Sequence, residues 1–144
     1  MKPGRHYRQD CRCSYKLHCG LGPGLLESVY ELILERELER RRLKVDKQLP
    51  LSFEYEGLRF REALRIDLFV ELRVVVEIKS VERLAPVHPK QVLTCLRLLN
   101  LPVGLLIDFG AATLKDGVHR IVNRLPPPRL RVNQIGRAEP DRKN

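Results

Sequence analysis

Residues 65–79 read RIDLFVELRVVVEIK, and this stretch decides the fold that we predict. Its hydrophobic residues form two strand-like runs, and the short charged segment 71–73 between them is expected to be a tight loop. Two acids, Asp67 and Glu77, and the amine of Lys79 interrupt these runs. Because burying a charge without a partner is expensive, ionisable groups in such a stretch require an explanation, and a bound metal ion is one.

A three-residue loop also sets the register of the predicted hairpin. Asp67 then faces Glu77, and Arg65 faces Lys79, with all four side chains on one face of the sheet. The opposite face is expected to carry Ile66, Leu68, Val76 and Ile78. Two carboxylates opposite each other in a ladder repel unless a cation lies between them. The register therefore predicts a divalent metal ion between the two acids.

The chemistry of these groups suggests which ion and which reaction. Hard oxygen ligands favour magnesium or manganese over zinc, and the backbone carbonyl of Ile78 can supply a further oxygen. Lys79 would orient a nucleophilic water and stabilise charge that develops on a phosphate. The alternative is structural: Asp67 and Lys79 form a buried ion pair with Arg65 and Glu77.

Two predicted helices contribute further candidates. Apolar residues at helical spacing predict a first helix from Leu25 to about Arg42, and Glu27 lies at the edge of its sheet-facing side. A second helix is predicted between Pro86 and Asn100, where Gln91 could position a water in the same pocket. Each also has a simpler explanation, since the helix dipole favours Glu27 in a first turn and Gln91 suits a solvated surface.

The remaining pattern completes an α/β fold. Strands are predicted at 45–55 and 58–70, joined by a turn at Glu56-Gly57, and a buried strand is predicted at 103–109. Residues 114–123 suggest an additional edge strand, with a turn at 115–117. The element order is therefore α-β-β-β-α-β, which predicts a mixed central sheet flanked by two helices.

Length and charge limit the organisation of the chain. The 144 residues, 43% of them hydrophobic, suit one domain. We predict an irregular N-terminal segment at 1–20, a folded domain at 21–123 and a basic, proline-rich flexible tail at 124–144. The net charge of +9 lies almost entirely in the two flanks, which suggests phosphate contacts or merely solubilising tails.

The sequence also indicates a compartment. It contains no apolar run long enough to span a bilayer and no apolar signal core after Met1. We therefore expect a cytoplasmic protein without a membrane partner. The cysteines are expected to be reduced, because a disulfide framework is improbable without a secretion signal, and the spacing of Cys11, Cys13 and Cys19 fits no common zinc or iron–sulfur pattern.

Several strings in the chain resemble the GxxExxY family of small bacterial proteins, a branch of the PD-(D/E)XK nuclease superfamily. Gly24, Glu27 and Tyr30 carry the naming pattern within LGPGLLESVY at 21–30. The other matching strings are Asp67-Leu68, Glu77-Ile78-Lys79 and Val103-Gly104-Leu105-Leu106-Ile107. The resemblance extends from about His18 to Asn123, which is most of the chain.

This resemblance implies a restriction-endonuclease-like αβββαβ core and a metal-dependent site for phosphodiester cleavage. It implies that Asp67 and Glu77 are metal ligands, that Lys79 is the catalytic lysine, and that Glu27 is an auxiliary acid that can also contact the metal. Gln91 would be the glutamine of the second helix. These assignments agree with those that the residues suggest by themselves.

The chain departs from the family pattern at a few positions. Cys95 stands where the family's Q-x-x-x-Y motif, which begins here at Gln91, has a tyrosine. Asp108 and Gly110 replace the asparagines of an I-N-F-N string, and the segment before His18 lacks the family's apolar helix. None of these differences affects the two acids or the lysine of the predicted site.

Two functions follow as expectations. The first is a Mg²⁺-dependent nuclease, with Mn²⁺ as a possible substitute, that hydrolyses DNA phosphodiester bonds. The second is a catalytically weak or inactive module on the same fold that binds nucleic acid or regulates another protein. No base-reading element is evident, so a partner protein or nucleic-acid structure would direct either function.

Overall fold

The computed structural model describes residues 25–124 and the backbone of 131–132. The first half contains helix α1 (Glu27–Arg40) and strands β1 (Val45–Tyr55), β2 (Leu58–Val70) and β3 (Val74–Lys79). The second half contains α2 (Val87–Leu99), β4 (Val103–Asp108), the helical turn α3 (Leu114–Gly117), β5 (Val118–Val122) and β6 (Arg131–Val132). The predicted αβββαβ order is confirmed. The predicted N-terminal segment at 1–20 and most of the predicted tail lie outside the described residues.

The sheet is mixed, as predicted, with the strand order β5-β4-β3-β2-β1-β6. Among the strands of the described residues, β3 and β4 are parallel and the other neighbouring pairs are antiparallel. Parallel neighbours require a crossover connection, which α2 provides here. The short β6, within the segment that we expect to be a tail, pairs with Phe53 and Glu54 of β1.

Helices α1 and α2 cover opposite faces of the sheet. Alternation along β3 sends Val74, Val76 and Ile78 to the α1 face and Val75 to the α2 face, so this strand is buried on both sides as predicted. The α1 layer contains the fully buried Tyr30, Leu34 and Leu38, and the α2 layer contains Val92, Cys95 and Leu96.

One contact on each face determines how closely its helix packs. On the α1 side, the ring of Tyr30 stacks on Phe109 with centroids 4.3 Å apart. On the α2 side, Gly104 lets the helix approach β4, because a Cβ there would lie 3.0 Å from the Val75 carbonyl oxygen and 3.2 Å from Val92 Cγ1. The contact of α1 therefore lies beside the end of β3, where Phe109 bonds Lys79, and the contact of α2 lies near the start of β3, where Gly104 pairs with Val75.

The β2–β3 hairpin has the predicted loop at 71–73 and the predicted register, because Val70 pairs with Val74 and Leu68 with Val76. The ladder, however, contains only three pairs and ends at Leu68. The predicted pairs of Asp67 with Glu77 and of Arg65 with Lys79 were therefore wrong as ladder pairs. Arg65 instead pairs with Pro50 and is exposed.

The face assigned to Ile66 also needs correction. Ile66 packs in the α2 layer with Leu51, whereas Leu68 packs in the α1 layer. The change coincides with Gln48, which lies opposite Asp67 in β1 and has a left-handed φ of 51°. A left-handed residue rotates a strand locally, so alternation does not continue across it. Nothing in the hydrophobic pattern reveals this kink.

The start of the predicted edge strand is helical instead. Residues 114–117 form the helical turn α3, and β5 begins at Val118. The cause is a local cap: the Thr113 hydroxyl accepts a hydrogen bond from the Asp116 N–H at 3.3 Å and donates one to the Asp116 carboxylate at 2.8 Å. This reciprocal arrangement is typical of a helix start.

Candidate functional site

The candidate site lies where β2 separates from β3. Beyond the last ladder pair, the Ile78 N–H donates to Asp67 Oδ2 at 2.8 Å. The Asp67 side chain thus replaces the hydrogen bond that the β2 backbone would have made. Its carboxylate is held against β3, within the gap between the two strands.

The carbonyl of Ile78 faces the same gap. In a strand, the N–H and C=O of one residue point to the same neighbour, and successive residues alternate. The Lys79 carbonyl accepts from the Phe109 N–H at 2.8 Å and therefore faces β4, while the Ile78 N–H faces Asp67. The Ile78 carbonyl consequently lies on the Asp67 side of β3.

Glu77 and Lys79 are neighbours on the α2 face of β3. Lys79 Nζ lies 3.5 Å from Glu77 Oε1, and the two side chains are 20% and 16% exposed. This partial exposure leaves the pair in reach of solvent while removing most of its hydration. The ion pair that we considered as the structural alternative is thus present between these two residues, whereas Arg65 is exposed away from it.

Burial raises the pKa of both Asp67 and Glu77. Desolvation raises the pKa of Asp67, and hydrogen bonds from Ile78 and Gln48 oppose this increase. Desolvation together with the charge of Asp67 raises the pKa of Glu77 to about 7, despite the opposing charge of Lys79. The effect of Asp67 on the pKa of Glu77 indicates that these two carboxylates lie close enough to benefit from a shared cation.

The donor atoms fit a hard divalent cation. Asp67, Glu77 and the Ile78 carbonyl offer only oxygen, which magnesium and manganese prefer. Within residues 25–124, no group of three or more His, Cys, Asp and Glu side chains converges closely enough to hold an ion. An ion at this position would therefore combine two carboxylates with main-chain oxygen and water, as magnesium sites commonly do.

Glu27 reaches the same region from α1. Its Oε1 accepts a hydrogen bond from the Ser80 N–H at 3.4 Å, just after β3 ends. The Ser80 hydroxyl in turn donates to the Leu25 carbonyl at 2.7 Å, so two hydrogen bonds connect Ser80 to the start of α1. The charge of Glu27 contributes to the raised pKa of both Asp67 and Glu77. The fold therefore brings Glu27 near the pair.

Gln91 is not joined to the carboxylates. It is exposed on α2, and no residue in the described range 25–124 serves as a hydrogen-bond partner for its side chain. Cys95, one helical turn later, is the nearer group: burial and the charge of Glu77 raise the pKa of its thiol to about 12. Along this side of α2, Gln91 is therefore exposed to solvent, whereas Cys95 is buried near Glu77.

Two residues near the site escaped the sequence analysis. Glu31 of α1 is only 8% exposed, and Gln48 Nε2 donates to its two carboxylate oxygens at 2.9 and 2.8 Å. The same nitrogen lies 3.2 Å from Asp67 Oδ1. The glutamates at 27, 31 and 35 form a helical row beside the apolar row of α1, which could have indicated Glu31. A single glutamine in a strand carries no comparable signal.

Comparison with known proteins identifies the family of the chain. A family profile described as the PD-(D/E)XK nuclease superfamily matches residues 6–121, and the chain therefore belongs to that superfamily. Nucleases of this superfamily generally use divalent metals and act on nucleic acid. Neither a curated protein nor a solved structure matches the chain significantly. Among the described residues, no helix is long and apolar enough to cross a membrane.

Proposed function

We propose that this protein is a nuclease that requires Mg²⁺, or Mn²⁺ in its place, and hydrolyses phosphodiester bonds in DNA. We further assign it to the GxxExxY branch of its superfamily. The observation that supports this proposal best is the meeting of Asp67, Glu77 and Lys79 where β2 separates from β3. The separation commits the Asp67 carboxylate, rather than the β2 backbone, to the Ile78 N–H, which holds it beside β3.

The ion would be held by Asp67 and Glu77, with the Ile78 carbonyl as a third oxygen and Glu27 as an auxiliary acid. When bound, a divalent ion polarises the phosphodiester and lowers the pKa of water. The chain's own contribution is orientation: the Ile78 N–H holds one oxygen of Asp67, and Lys79 holds Glu77. The low exposure of this cluster strengthens its electrostatic interactions with a substrate.

Lys79 is the proposed catalytic amine. Its ammonium group lies at the solvent-reaching edge of the cluster and would stabilise the negative charge that develops on the phosphate oxygens. Glu77 limits the position of this ammonium group through the 3.5 Å ion pair. Gln91, exposed at the start of α2, would contact the substrate strand from the outside rather than the ion.

The test is cleavage of supercoiled plasmid, linear DNA and single-stranded RNA by the purified full chain with Mg²⁺, Mn²⁺ or EDTA. We expect metal-dependent cleavage of DNA, a loss of about 100-fold or more in Lys79→Met, and a similar loss in Asp67→Asn. Lys90→Met removes an exposed lysine from α2 and serves as the matched control. Equal cleavage by wild type and both site variants would refute the proposal.

A specific observation also favours the second function, a module that binds nucleic acid without cutting it. Cys95 stands where the GxxExxY branch has a tyrosine, and the side chain of Gln91 has no hydrogen-bond partner within residues 25–124. If these two positions are needed for turnover, the protein would bind DNA without cleaving it. Retained binding with no cleavage in either metal, unaffected by Asp67→Asn, is the result that distinguishes this function.

A further inference from the structure

We propose that Gln48, anchored by Glu31, is a positioning residue that holds Asp67 in the orientation required for metal binding. This inference rests on the proposed function, because it assigns Asp67 as a ligand. It concerns residues that lie behind the proposed ligands rather than the ligands themselves. Outer partners of this kind commonly decide the orientation of a ligating carboxylate.

The hydrogen bonds leave little freedom to Asp67. Its Oδ2 accepts from the Ile78 N–H at 2.8 Å, and its Oδ1 lies 3.2 Å from Gln48 Nε2. With both oxygens held by different strands, rotation of the carboxylate breaks at least one bond. Each oxygen still has a second lone pair, so neither contact prevents coordination of a cation.

Glu31 explains why Gln48 itself stays in place. The amide nitrogen of Gln48 carries two hydrogens. One can be shared by the two Glu31 oxygens at 2.9 and 2.8 Å, and the other can serve Asp67. Because Glu31 is only 8% exposed, little water competes with Gln48 for its carboxylate oxygens. The amide therefore bridges a carboxylate of α1 and a carboxylate of β2.

The backbone of Gln48 supports the same interpretation. Its φ of 51° is left-handed, a conformation that costs a glutamine about 1–2 kcal/mol. Such strained residues persist where the surrounding structure holds them and are common at functional sites. Here the strained residue lies directly opposite Asp67 in the β1–β2 ladder, between the pairs Lys47–Leu68 and Leu49–Ile66.

The chain offers a matched control one residue away. Lys47 also connects β1 to α1, because its Nζ lies 3.3 Å from Glu35 Oε2, one turn beyond Glu31. Lys47→Ala therefore removes a strand-to-helix contact of the same kind without touching Asp67. A merely structural role for Gln48 would make its variants behave like this control.

The experiment measures Mn²⁺ binding to the full chain by titration calorimetry. The variants are Gln48→Asn and Gln48→Gly, because both residues tolerate a left-handed backbone and neither can span the two carboxylates. We expect the dissociation constant for Mn²⁺ to rise about tenfold or more in both, and to change less than about twofold in Lys47→Ala. In cleavage assays, the half-saturating Mn²⁺ concentration should rise while kcat at saturating metal changes little.

Asp67→Ala separates the two possible failures. If wild type binds Mn²⁺, Asp67→Ala does not, and both Gln48 variants match wild type, the positioning inference is overturned while the proposed metal site stands. If wild type binds no Mn²⁺ through Asp67, the proposed function fails and this inference fails with it. Loss of cooperative unfolding in both Gln48 variants without metal would place the role of Gln48 in folding and would also overturn the inference.

Discussion

Replacing Glu77 by glutamine should stabilise the metal-free protein at neutral and alkaline pH. Glu77 is 16% exposed, and its pKa is raised to about 7 by burial and by the charge of Asp67. An acid whose pKa is higher in the folded state holds its proton more tightly there than in the unfolded chain. The unfolded state therefore gains relative stability once its own carboxyl ionises, and folding stability falls as pH rises.

The magnitude follows from the difference between the two states. A pKa of about 7 in the folded protein, against an ordinary value of 4.5, corresponds to about 3 kcal/mol of lost stability above pH 7. This cost is absent below pH 4.5 and grows between those two values. The attraction of Lys79 is already part of this pKa, because it opposes the increase that burial causes. Glu77→Gln should therefore gain about 3 kcal/mol at pH 8 and almost nothing at pH 4.5.

Urea unfolding in EDTA at pH 4.5 and pH 8 measures this difference. Glu82→Gln, a change of an exposed acid in the loop after β3, is the matched control and should behave like wild type at both pH values. Saturating Mn²⁺ should reverse the order at pH 8, because ligand at about 1,000 times its dissociation constant adds roughly 4.1 kcal/mol to wild type alone. An equal stability of Glu77→Gln and wild type at pH 8 in EDTA would refute the reasoning.

Three further substitutions or measurements test the surroundings of the site. Gly104→Ala should lower the free energy of unfolding by about 1–3 kcal/mol, because the added Cβ would press on Val92 and on the Val75 carbonyl. An unchanged urea midpoint would contradict the close packing of α2. Asp108→Ala should lower the free energy of unfolding by about 2 kcal/mol, because Asp108 Oδ1 accepts hydrogen bonds from the N–H groups of Val81 and Gly110, both at 3.0 Å. A urea midpoint equal to that of wild type would show that water replaces these bonds. Cys95 should resist iodoacetamide at pH 8 in the folded protein and react in urea, because burial raises the pKa of its thiol to about 12. Peptide mass spectrometry measures the labelling of Cys95. Rapid labelling of the folded protein would contradict this expectation.

Much of this fold was predictable because the local hydrophobic pattern of the sequence indicates its strands. The hydrophobic run at 74–79 could only be a strand buried on both sides, and the loop at 71–73 was short enough to determine the register of the hairpin. Those two features led directly to Asp67, Glu77 and Lys79. Helix periodicity likewise placed Glu27 at the edge of α1, where the structure has it beside the end of β3.

The ending of the β2–β3 ladder was not predictable from the same pattern. Alternation describes a continuous ladder, whereas the real one stops at Leu68 and the two strands separate. At the point of separation, a left-handed residue of a third strand, Gln48, lies opposite Asp67, and the Asp67 side chain replaces backbone pairing. Both are tertiary effects, and they also explain why Ile66 was assigned to the wrong face.

The gap in the sheet and the stressed acids have one physical explanation. A regular ladder through Asp67 and Glu77 would satisfy every backbone group but would leave the Ile78 carbonyl bonded to β2. Separation of the strands exposes that carbonyl to the cluster and commits the Asp67 side chain to the Ile78 N–H. Burial and the charge of Asp67 raise the pKa of Glu77, so the fully ionised cluster is unfavourable in the folded protein. If the arrangement binds a cation, metal should stabilise wild type most at high pH, where both acids are ionised. A metal-induced stabilisation that is equal at pH 5 and pH 8 would contradict this explanation.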